Sequence, residues 1–171
     1  MLHIYNDGGR SSAGYKGTAG DCVARSIAIA SGKPYQEIYD ALAKGNAKQR
    51  ISKRQRLKIQ NDYAAKGLSF DTPEYKAYVK SRTRKQTAAH GINTTRQWFK
   101  DYMNSLGFTW VPTMKIGQGC TVHLKQNELP MGRLVVNVSK HYTAVINGVI
   151  HDTFDCSRNE TRCVYGYYRF N

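Results

Sequence analysis

The stretch 141–152, HYTAVINGVIHD, decides the fold that this sequence predicts. Two runs of β-branched and aromatic residues flank Asn147-Gly148, a dipeptide that favours a two-residue hairpin turn. Such a hairpin brings the start of one strand beside the end of the next, so His141 and Asp152 are predicted to be lateral neighbours. A carboxylate beside a histidine is an arrangement that orients an imidazole for proton transfer.

A second decisive stretch lies upstream, at residues 21–30, DCVARSIAIA. Asp21 stands where a helix N-cap would, and the small and apolar residues after it predict a helix. The first 20 residues are rich in Gly and Ser and predict a loop over the surface. Cys22 therefore falls at a helix N-terminus, where free amides and the helix dipole favour a thiolate.

Helical patterns dominate the first part of the chain and strand patterns the last part. Further helices are predicted from Pro34 to Gly45, over 48–63 and 73–84, and from a Thr94-Thr95 cap to Gly107. Strands are predicted over 109–114, 121–124, 132–139, 142–146, 149–153 and 163–169. Helices followed by an antiparallel sheet define an α+β fold class.

Charge is distributed unevenly along the 171 residues, which include 26 Lys and Arg and 12 Asp and Glu, for a formal net charge of +14. Residues 44–100 contain fifteen of the basic residues and three of the acidic ones, a net of +12. We therefore predict a basic helical insertion over 44–90 within a single domain spanning 1–171. The 12 Tyr, 5 Phe and 2 Trp exclude a disordered basic tail, which would be poor in aromatic residues.

The basic insertion indicates a polyanionic partner. Lys and Arg contacts to phosphates give salt-sensitive affinity without sequence preference, and the interleaved Tyr63, Tyr75, Tyr78 and Trp98 could stack on single-stranded bases. No sequence-specific nucleic-acid motif is visible, so any binding of nucleic acid should be non-specific. An acidic protein, a membrane surface or another subunit of a larger particle stays open as the partner. The basic residues could also simply form a solvated face that binds nothing. The candidate polyanion-binding residues are Lys48, Arg50, Lys53, Arg54, Arg56, Lys58, Lys80, Arg82, Arg84 and Lys85.

The chain has no apolar run near the roughly 18 residues of a membrane span, and its N-terminus does not have the features of a signal peptide. We expect a soluble protein made and kept in a cytosol, with no cofactor. In a cytosol the cysteines favour thiol, catalytic or metal roles over disulfides. Cys120, His123, Cys156 and Cys163 could form a zinc set, but six residues separate the last two, so no metal is predicted. Those two cysteines could instead face each other and pair once oxidised.

The order of these motifs resembles the papain-like cysteine peptidase superfamily, and most closely its compact bacteriocin-processing peptidases. The similarity lies in a cysteine on the first helix after a Gly-rich loop, followed by a sheet that carries His141, a Gly turn and a strand ending in Asp152. Residues 21–25 with Tyr35, and residues 132–155, also resemble small uncharacterised phage proteins of that fold. The resemblance covers 15–45 and 90–170 and leaves out the basic segment.

This resemblance implies a cysteine hydrolase of phage or bacterial origin, a peptidase, isopeptidase or amidase acting on a peptide or protein. It also implies a location in the bacterial host cytoplasm or in a virion. It implies Cys22 as the nucleophile, His141 as general base and then general acid, and Asp152 as the residue that holds the imidazole. Papain-like enzymes place a Gln upstream of the nucleophile to stabilise the oxyanion, and residues 2–21 contain no Gln. Asn6 is the candidate for that role, together with the backbone N–H of Cys22.

Alternatives stay open for the site and for the function. His151 and Asp155 lie close to the same pair in sequence, although His151 has no orienting residue downstream of it. The alternative function is a catalytically inactive papain-like scaffold that binds nucleic acid, or serves as a virion structural or interaction protein, through its basic segment.

Overall fold

The computed structural model describes residues 1–48, 53–67, 69–82, 87–89 and 91–171, and in these ranges the chain is α+β. The helices are α1 (Cys22–Ser31), α2 (Tyr35–Ala47), α3 (Lys53–Ala64), α4 (Pro73–Arg82) and α5 (Gln97–Ser105). The strands are β1 (Leu2–Tyr5), β2 (Phe108–Pro112), β3 (Arg133–Val138), β4 (His141–Ile146), β5 (Val149–Asp152) and β6 (Val164–Phe170). The predicted fold class is confirmed at this level.

The strands form one mixed sheet in the order β1-β5-β4-β3-β6-β2. β1 pairs in parallel with β5, and the remaining pairs are antiparallel. The prediction of a purely antiparallel sheet is therefore wrong at one edge, and so is the loop predicted over the first 20 residues. The glycines and serines begin only at Gly8, and Leu2, Ile4 and Tyr5 are exposed, so neither composition nor an alternation of burial marks β1 as a strand.

Three local predictions differ from the structure. The predicted strand 121–124 is reduced to an isolated antiparallel bridge between His123 and Cys163. Gly45 does not end α2 but lies inside it, where a Cβ would come within 2.3 Å of the Trp98 ring. The helix predicted to follow a threonine cap begins at Gln97, and its N-cap residue makes no side-chain capping bond.

The sheet is covered on both faces, and β3 divides its side chains between the two layers. Val135 joins the core formed with α1, α2 and α5. Leu134 and Val136 point to the opposite face, where Leu124 and Leu129 of the 113–132 connection cover them. Because α1 packs across β4, β3 and β5, its first residue is held near the ends of the central strands.

Residues 47–86 form one compact unit, and residues 1–46 with 87–171 form another. In the 47–86 unit, the buried Tyr63 ring packs against Phe70, Tyr75 and Tyr78, with centroids 6.1, 4.9 and 5.0 Å away. These rings supply the small core that α3 and α4 share. Over the described part of the chain, no helix combines the length and the apolar character that crossing a membrane requires.

Candidate active site

His141 and Asp152 form a hydrogen-bonded pair at one end of the sheet. Nε2 of His141 lies 2.7 Å from Oδ2 of Asp152. β4 and β5 pair so that Ala144 is opposite His151. Continuing this register puts Asp152 opposite Thr143, two positions along the strand from His141 and on the same face. The two side chains therefore meet along a diagonal, which the length of the imidazole spans.

Asp152 is buried and surrounded by donors. Its Oδ1 accepts the backbone N–H of Thr153 at 2.7 Å and lies 3.4 Å from Nη1 of Arg25. Burial raises the pKa of Asp152, but the hydrogen bond and charge of His141 and the Thr153 N–H outweigh burial and bring the pKa below its ordinary 3.8. An ionised carboxylate is therefore held against the imidazole at neutral pH.

Cys22 is the first residue of α1 and has a partly buried free thiol. Burial raises the pKa of this thiol. A hydrogen bond with His141, the charge of that imidazole, a backbone hydrogen bond from Tyr142 and the charge of Arg25 act in the opposite direction, and the net pKa lies below the ordinary 9.0. The surroundings thus favour a thiolate.

The imidazole of His141 is protonated over a wide pH range. Burial lowers its pKa, but hydrogen bonds with Asp152, Cys156 and Cys22 outweigh burial and raise the pKa to about 11. The Phe154 ring packs on the imidazole with centroids 5.1 Å apart and shields it from solvent. A thiol of lowered pKa beside an imidazole of raised pKa makes a thiolate–imidazolium pair.

Cys156 belongs to this site, although sequence reasoning did not place it there. Its thiol is buried, with 1% of the residue exposed, and its Sγ, a ring nitrogen of His141 and a carboxylate oxygen of Asp152 all lie within 4.8 Å of one another. Arg162 Nη1 donates to the Cys156 carbonyl at 3.1 Å and holds the loop that follows β5. Cys156 comes four residues after Asp152 in an irregular loop. The periodicity of apolar residues predicts helices and strands but not the path of such a loop, so it does not place Cys156 beside His141.

A disulfide joins Cys120 and Cys163, whose Cα atoms are 5.8 Å apart. The expectation of thiol roles over bridges is therefore wrong for these two, and so is the facing pair of Cys156 and Cys163. The proposed four-residue zinc set is not assembled, because the bridge takes two of its thiols. His123 instead uses Nδ1 to contact Glu128 Oε2 at 3.1 Å. The pairing across 43 residues arises from tertiary contact, which cysteine spacing does not reveal.

The hydrogen bonds that the structure gives for Asn6 join it to Gly8 and to Asp152. Its Oδ1 accepts the N–H of Gly8 at 2.8 Å, and its backbone N–H donates to the Asp152 carbonyl at 2.9 Å. Neither bond involves Cys22. The start of α1 offers another donor, because Asp21 occupies the N-cap position without capping the helix through its side chain, so the first backbone N–H groups are left for a ligand.

The carboxylate of Asp21 instead organises a buried network beside Cys22. It accepts Nε of Arg10 at 2.8 Å and the hydroxyl of Tyr35 at 2.5 Å, and lies 3.2 Å from Nε of Arg25. Burial and the hydrogen bond to Asp21 raise the pKa of Tyr35 far above its ordinary value, so this hydroxyl stays a donor. Arg10 also donates to three loop carbonyls, those of Tyr15, Lys16 and Gly17. The network fixes the start of α1.

A cleft of about 650 Å³ adjoins this group of residues. Its wall includes Asp21, which precedes Cys22, and Phe154, which packs on the His141 imidazole. Tyr5, Tyr15 and Lys16 also line it. A chain lying in this cleft would have aromatic walls, the exposed cation of Lys16 and, at Asp21, the residue that precedes Cys22.

The candidate polyanion-binding residues that the structure describes are all exposed, namely Lys48, Lys53, Arg54, Arg56, Lys58, Lys80 and Arg82. Arg50, Arg84 and Lys85 lie outside the described residues. The guanidinium of Arg82 lies 5.3 Å from the centroid of the Tyr78 ring. Tyr63 is buried and Trp98 packs against Gly45, so these two rings are not free to stack on bases as the sequence pattern predicts.

Comparison of the chain with models of protein families, with curated proteins and with solved structures finds no match. The geometry around Cys22, His141 and Asp152 is thus the basis on which a function can be proposed.

Proposed function

We propose that the protein is a papain-like cysteine hydrolase, a peptidase, isopeptidase or amidase, with Cys22 as its nucleophile. The observation that carries this proposal is the 2.7 Å hydrogen bond between His141 and Asp152 beside the Cys22 thiol, which interacts with the imidazole so that the pKa of the thiol is lowered and that of the imidazole is raised. A nucleophile beside a base that a carboxylate orients is the minimum set for acyl transfer through sulfur.

The reaction follows from the protonation states of the pair. The thiolate of Cys22 attacks the carbonyl carbon of an amide, and the carbonyl π electrons move to its oxygen, which the free N–H groups at the start of α1 stabilise. His141 gives its proton to the leaving nitrogen as the C–N bond breaks, which leaves a thioester. A water molecule, deprotonated by His141, then attacks the thioester, and the thiolate of Cys22 is the leaving group.

The arrangement of elements supports the papain-like assignment. The cysteine begins the first helix, and the histidine and aspartate lie on neighbouring strands of the sheet that this helix covers. The parallel strand β1 and the Cys120–Cys163 disulfide are features of this chain that the resemblance does not imply. Disulfides are more typical of virions and extracellular proteins than of a cytosol, so of the two proposed locations this bridge favours the virion.

The experiment that tests this proposal is turnover of a mixed library of peptide amides, with cleavage products identified by mass spectrometry. We expect products that the matched variant Cys22→Ser does not form, and a thioester adduct on Cys22 after rapid acid quenching. Cleavage that persists in Cys22→Ser, or an adduct on another residue, would show that the nucleophile is assigned wrongly.

A second function, binding of a polyanion, is supported by the 47–86 unit. Its described residues include nine exposed basic side chains and three acidic ones, and none of these side chains lies in an ion pair with another described residue. Binding to arbitrary single-stranded and double-stranded DNA and RNA should weaken steeply with salt. Reversing Arg54 and Lys58 to Glu should weaken it further, and absence of binding at low salt would remove this function.

A further inference from the structure

One cluster in the described part of the chain brings together three side chains of metal-ligand type. Sγ of Cys156, a ring nitrogen of His141 and a carboxylate oxygen of Asp152 lie within 4.8 Å of one another. Cys156 and Asp152 are buried, with 1% and 4% exposed, and His141 is partly buried. The proposed hydrolytic reaction uses two of these residues, and the buried thiol of Cys156 forms or breaks no bond in it.

We propose that His141, Asp152 and Cys156 bind a zinc ion, and that the bound ion holds the hydrolase inactive. Thiolate sulfur, imidazole nitrogen and carboxylate oxygen are the ligands that zinc takes, at about 2.0–2.3 Å. Tetrahedral coordination at those lengths separates neighbouring ligand atoms by about 3.3–3.8 Å, so the observed cluster needs only small side-chain rotations to close on an ion. The fourth position is left to water.

The surroundings hold two of these ligands in place. Asp152 directs Oδ1 to the Thr153 N–H and Arg25, which leaves Oδ2 toward the cluster. Arg162 holds the cysteine loop by donating to the carbonyl of Cys156 at 3.1 Å and to that of Ser139 at 2.5 Å. Outer hydrogen bonds of this kind orient metal ligands and strengthen their binding.

Zinc binding has a direct consequence for the proposed reaction. The ion takes the place of the hydrogen bond between His141 and Asp152, and one proton of the imidazolium and the proton of the Cys156 thiol pass to solvent. The other ring nitrogen keeps its N–H as part of a neutral imidazole. This N–H is a far weaker acid than an imidazolium, so it does not protonate a leaving group at neutral pH, and neither ring nitrogen has a lone pair free to take a proton from water. The loss of activity rests on the proposed function, whereas binding of the ion does not.

The first test is titration of the chelator-treated full chain with Co²⁺, a spectroscopic substitute for zinc. We expect one ion per chain, tetrahedral visible bands, a thiolate-to-cobalt charge-transfer band, and displacement by Zn²⁺. Cys156→Ser should show no charge-transfer band, and its affinity for Co²⁺ should be at least tenfold lower than that of the wild-type chain. Cys22→Ser, the matched control at the other free thiol, should keep the band, as should His123→Ala.

Two results overturn the site: no stoichiometric binding to the wild-type chain, or a charge-transfer band that survives in Cys156→Ser. The circular dichroism of Cys156→Ser shows whether it folds. If Cys156→Ser does not fold, X-ray absorption at the cobalt edge of the wild-type complex shows instead whether a sulfur atom binds the cobalt ion. A shell with one sulfur and lighter nitrogen or oxygen atoms supports the site, and a shell without sulfur overturns it.

The second test measures alkylation of Cys22 by iodoacetamide with and without stoichiometric Zn²⁺. We expect zinc to slow this reaction at least tenfold in the wild-type chain and to have little effect in Cys156→Ser. An unchanged rate in zinc-loaded protein overturns the inactive state while leaving the metal site intact. A Cys22 thiol that is unreactive even without zinc counts against the proposed hydrolase and not against the ion.

Discussion

His141 lies on the same face of the sheet as Asp152, two positions along β4 from the residue opposite it, with Nε2 and Oδ2 2.7 Å apart. The contact thus depends on the hairpin register and on a buried, ionised carboxylate. A register shift of one residue would turn the Asp152 side chain to the other face and break the contact.

The first prediction concerns the charge of Asp152. Replacing it by Asn keeps the shape but removes the charge that stabilises the imidazolium, so the pKa of His141 should fall and the Cys22 thiolate should lose its partner. Alkylation of Cys22 at neutral pH, followed by mass spectrometry, should slow by about tenfold or more. Asp155→Asn is the control, because Asp155 binds the Ser157 N–H instead of the imidazole. Equal rates in both variants would argue against the orienting role.

The second prediction concerns pH. The pKa of Cys22 is lowered and that of His141 is raised to about 11, so the ion pair exists between the two values. Alkylation should therefore rise with pH through a midpoint below 9.0, and turnover should decline as pH approaches about 11, where His141 loses its proton. In His141→Ala the midpoint should move up, because the two largest effects that oppose burial are lost and only the Tyr142 N–H and the Arg25 charge remain. A midpoint that does not move would contradict the pairing.

The pH dependence extends to stability, because acid should destabilise the fold through the Asp152 carboxylate. The pKa of Asp152 is depressed in the folded chain, so its contribution to stability is present above its ordinary value of 3.8 and is lost as pH falls through the lower folded value. The free energies of unfolding of the wild-type chain and of Asp152→Asn, measured in urea, should therefore converge as the pH is lowered below about 4. Curves that remain equally far apart would contradict this linkage.

The third prediction concerns the buried network beside Cys22. Tyr35→Phe removes one hydrogen bond to Asp21 and should lower the free energy of unfolding by about 1–3 kcal/mol. Asp21→Ala leaves the Arg10 guanidinium without its carboxylate and takes one of two carboxylates from Arg25, so it should lower the free energy of unfolding by about 3–5 kcal/mol. Lys33→Ala breaks an exposed ion pair with Glu37 and should lower the free energy of unfolding by less than about 1 kcal/mol. Denaturant unfolding measures all three, and a cost for Asp21→Ala no larger than that of Lys33→Ala would contradict the network.

The fourth prediction concerns the bridge between Cys120 and Cys163. Cys120→Ser should lower the free energy of unfolding by about 2–4 kcal/mol, because the unfolded chain regains the freedom of a long loop. Thiol titration of the unreduced, denatured wild-type chain should count two thiols. Reduction should destabilise the wild-type chain and leave the stability of Cys120→Ser unchanged. Four free thiols without a reductant would contradict the bridge.

Local patterns account for the parts of the site that the sequence predicts. Asn147-Gly148 sets the hairpin that carries His141 and Asp152, and a run of small and apolar residues begins a helix at Cys22. Their meeting in space follows from the packing of that helix on β4.

The remaining features depend on contacts that no local pattern encodes. β1 is held by pairing with β5 about 147 residues away and shows no buried face of its own. Cys156 reaches the imidazole through an irregular loop fixed by Arg162. Gly45 would end a helix by its intrinsic propensity, but the Trp98 ring packs on its backbone and the helix continues.

The most direct test of the central claim is the rate constant for iodoacetamide modification of Cys22 at neutral pH, resolved by residue, in the wild-type chain and in His141→Ala. The thiolate–imidazolium pair predicts that Cys22 reacts faster than a model thiol and at least tenfold faster than in the variant. His151→Ala is the matched control and should leave the rate unchanged. A wild-type Cys22 that reacts no faster than a model thiol, with no loss in His141→Ala, would contradict the assignment of Cys22 as an activated nucleophile.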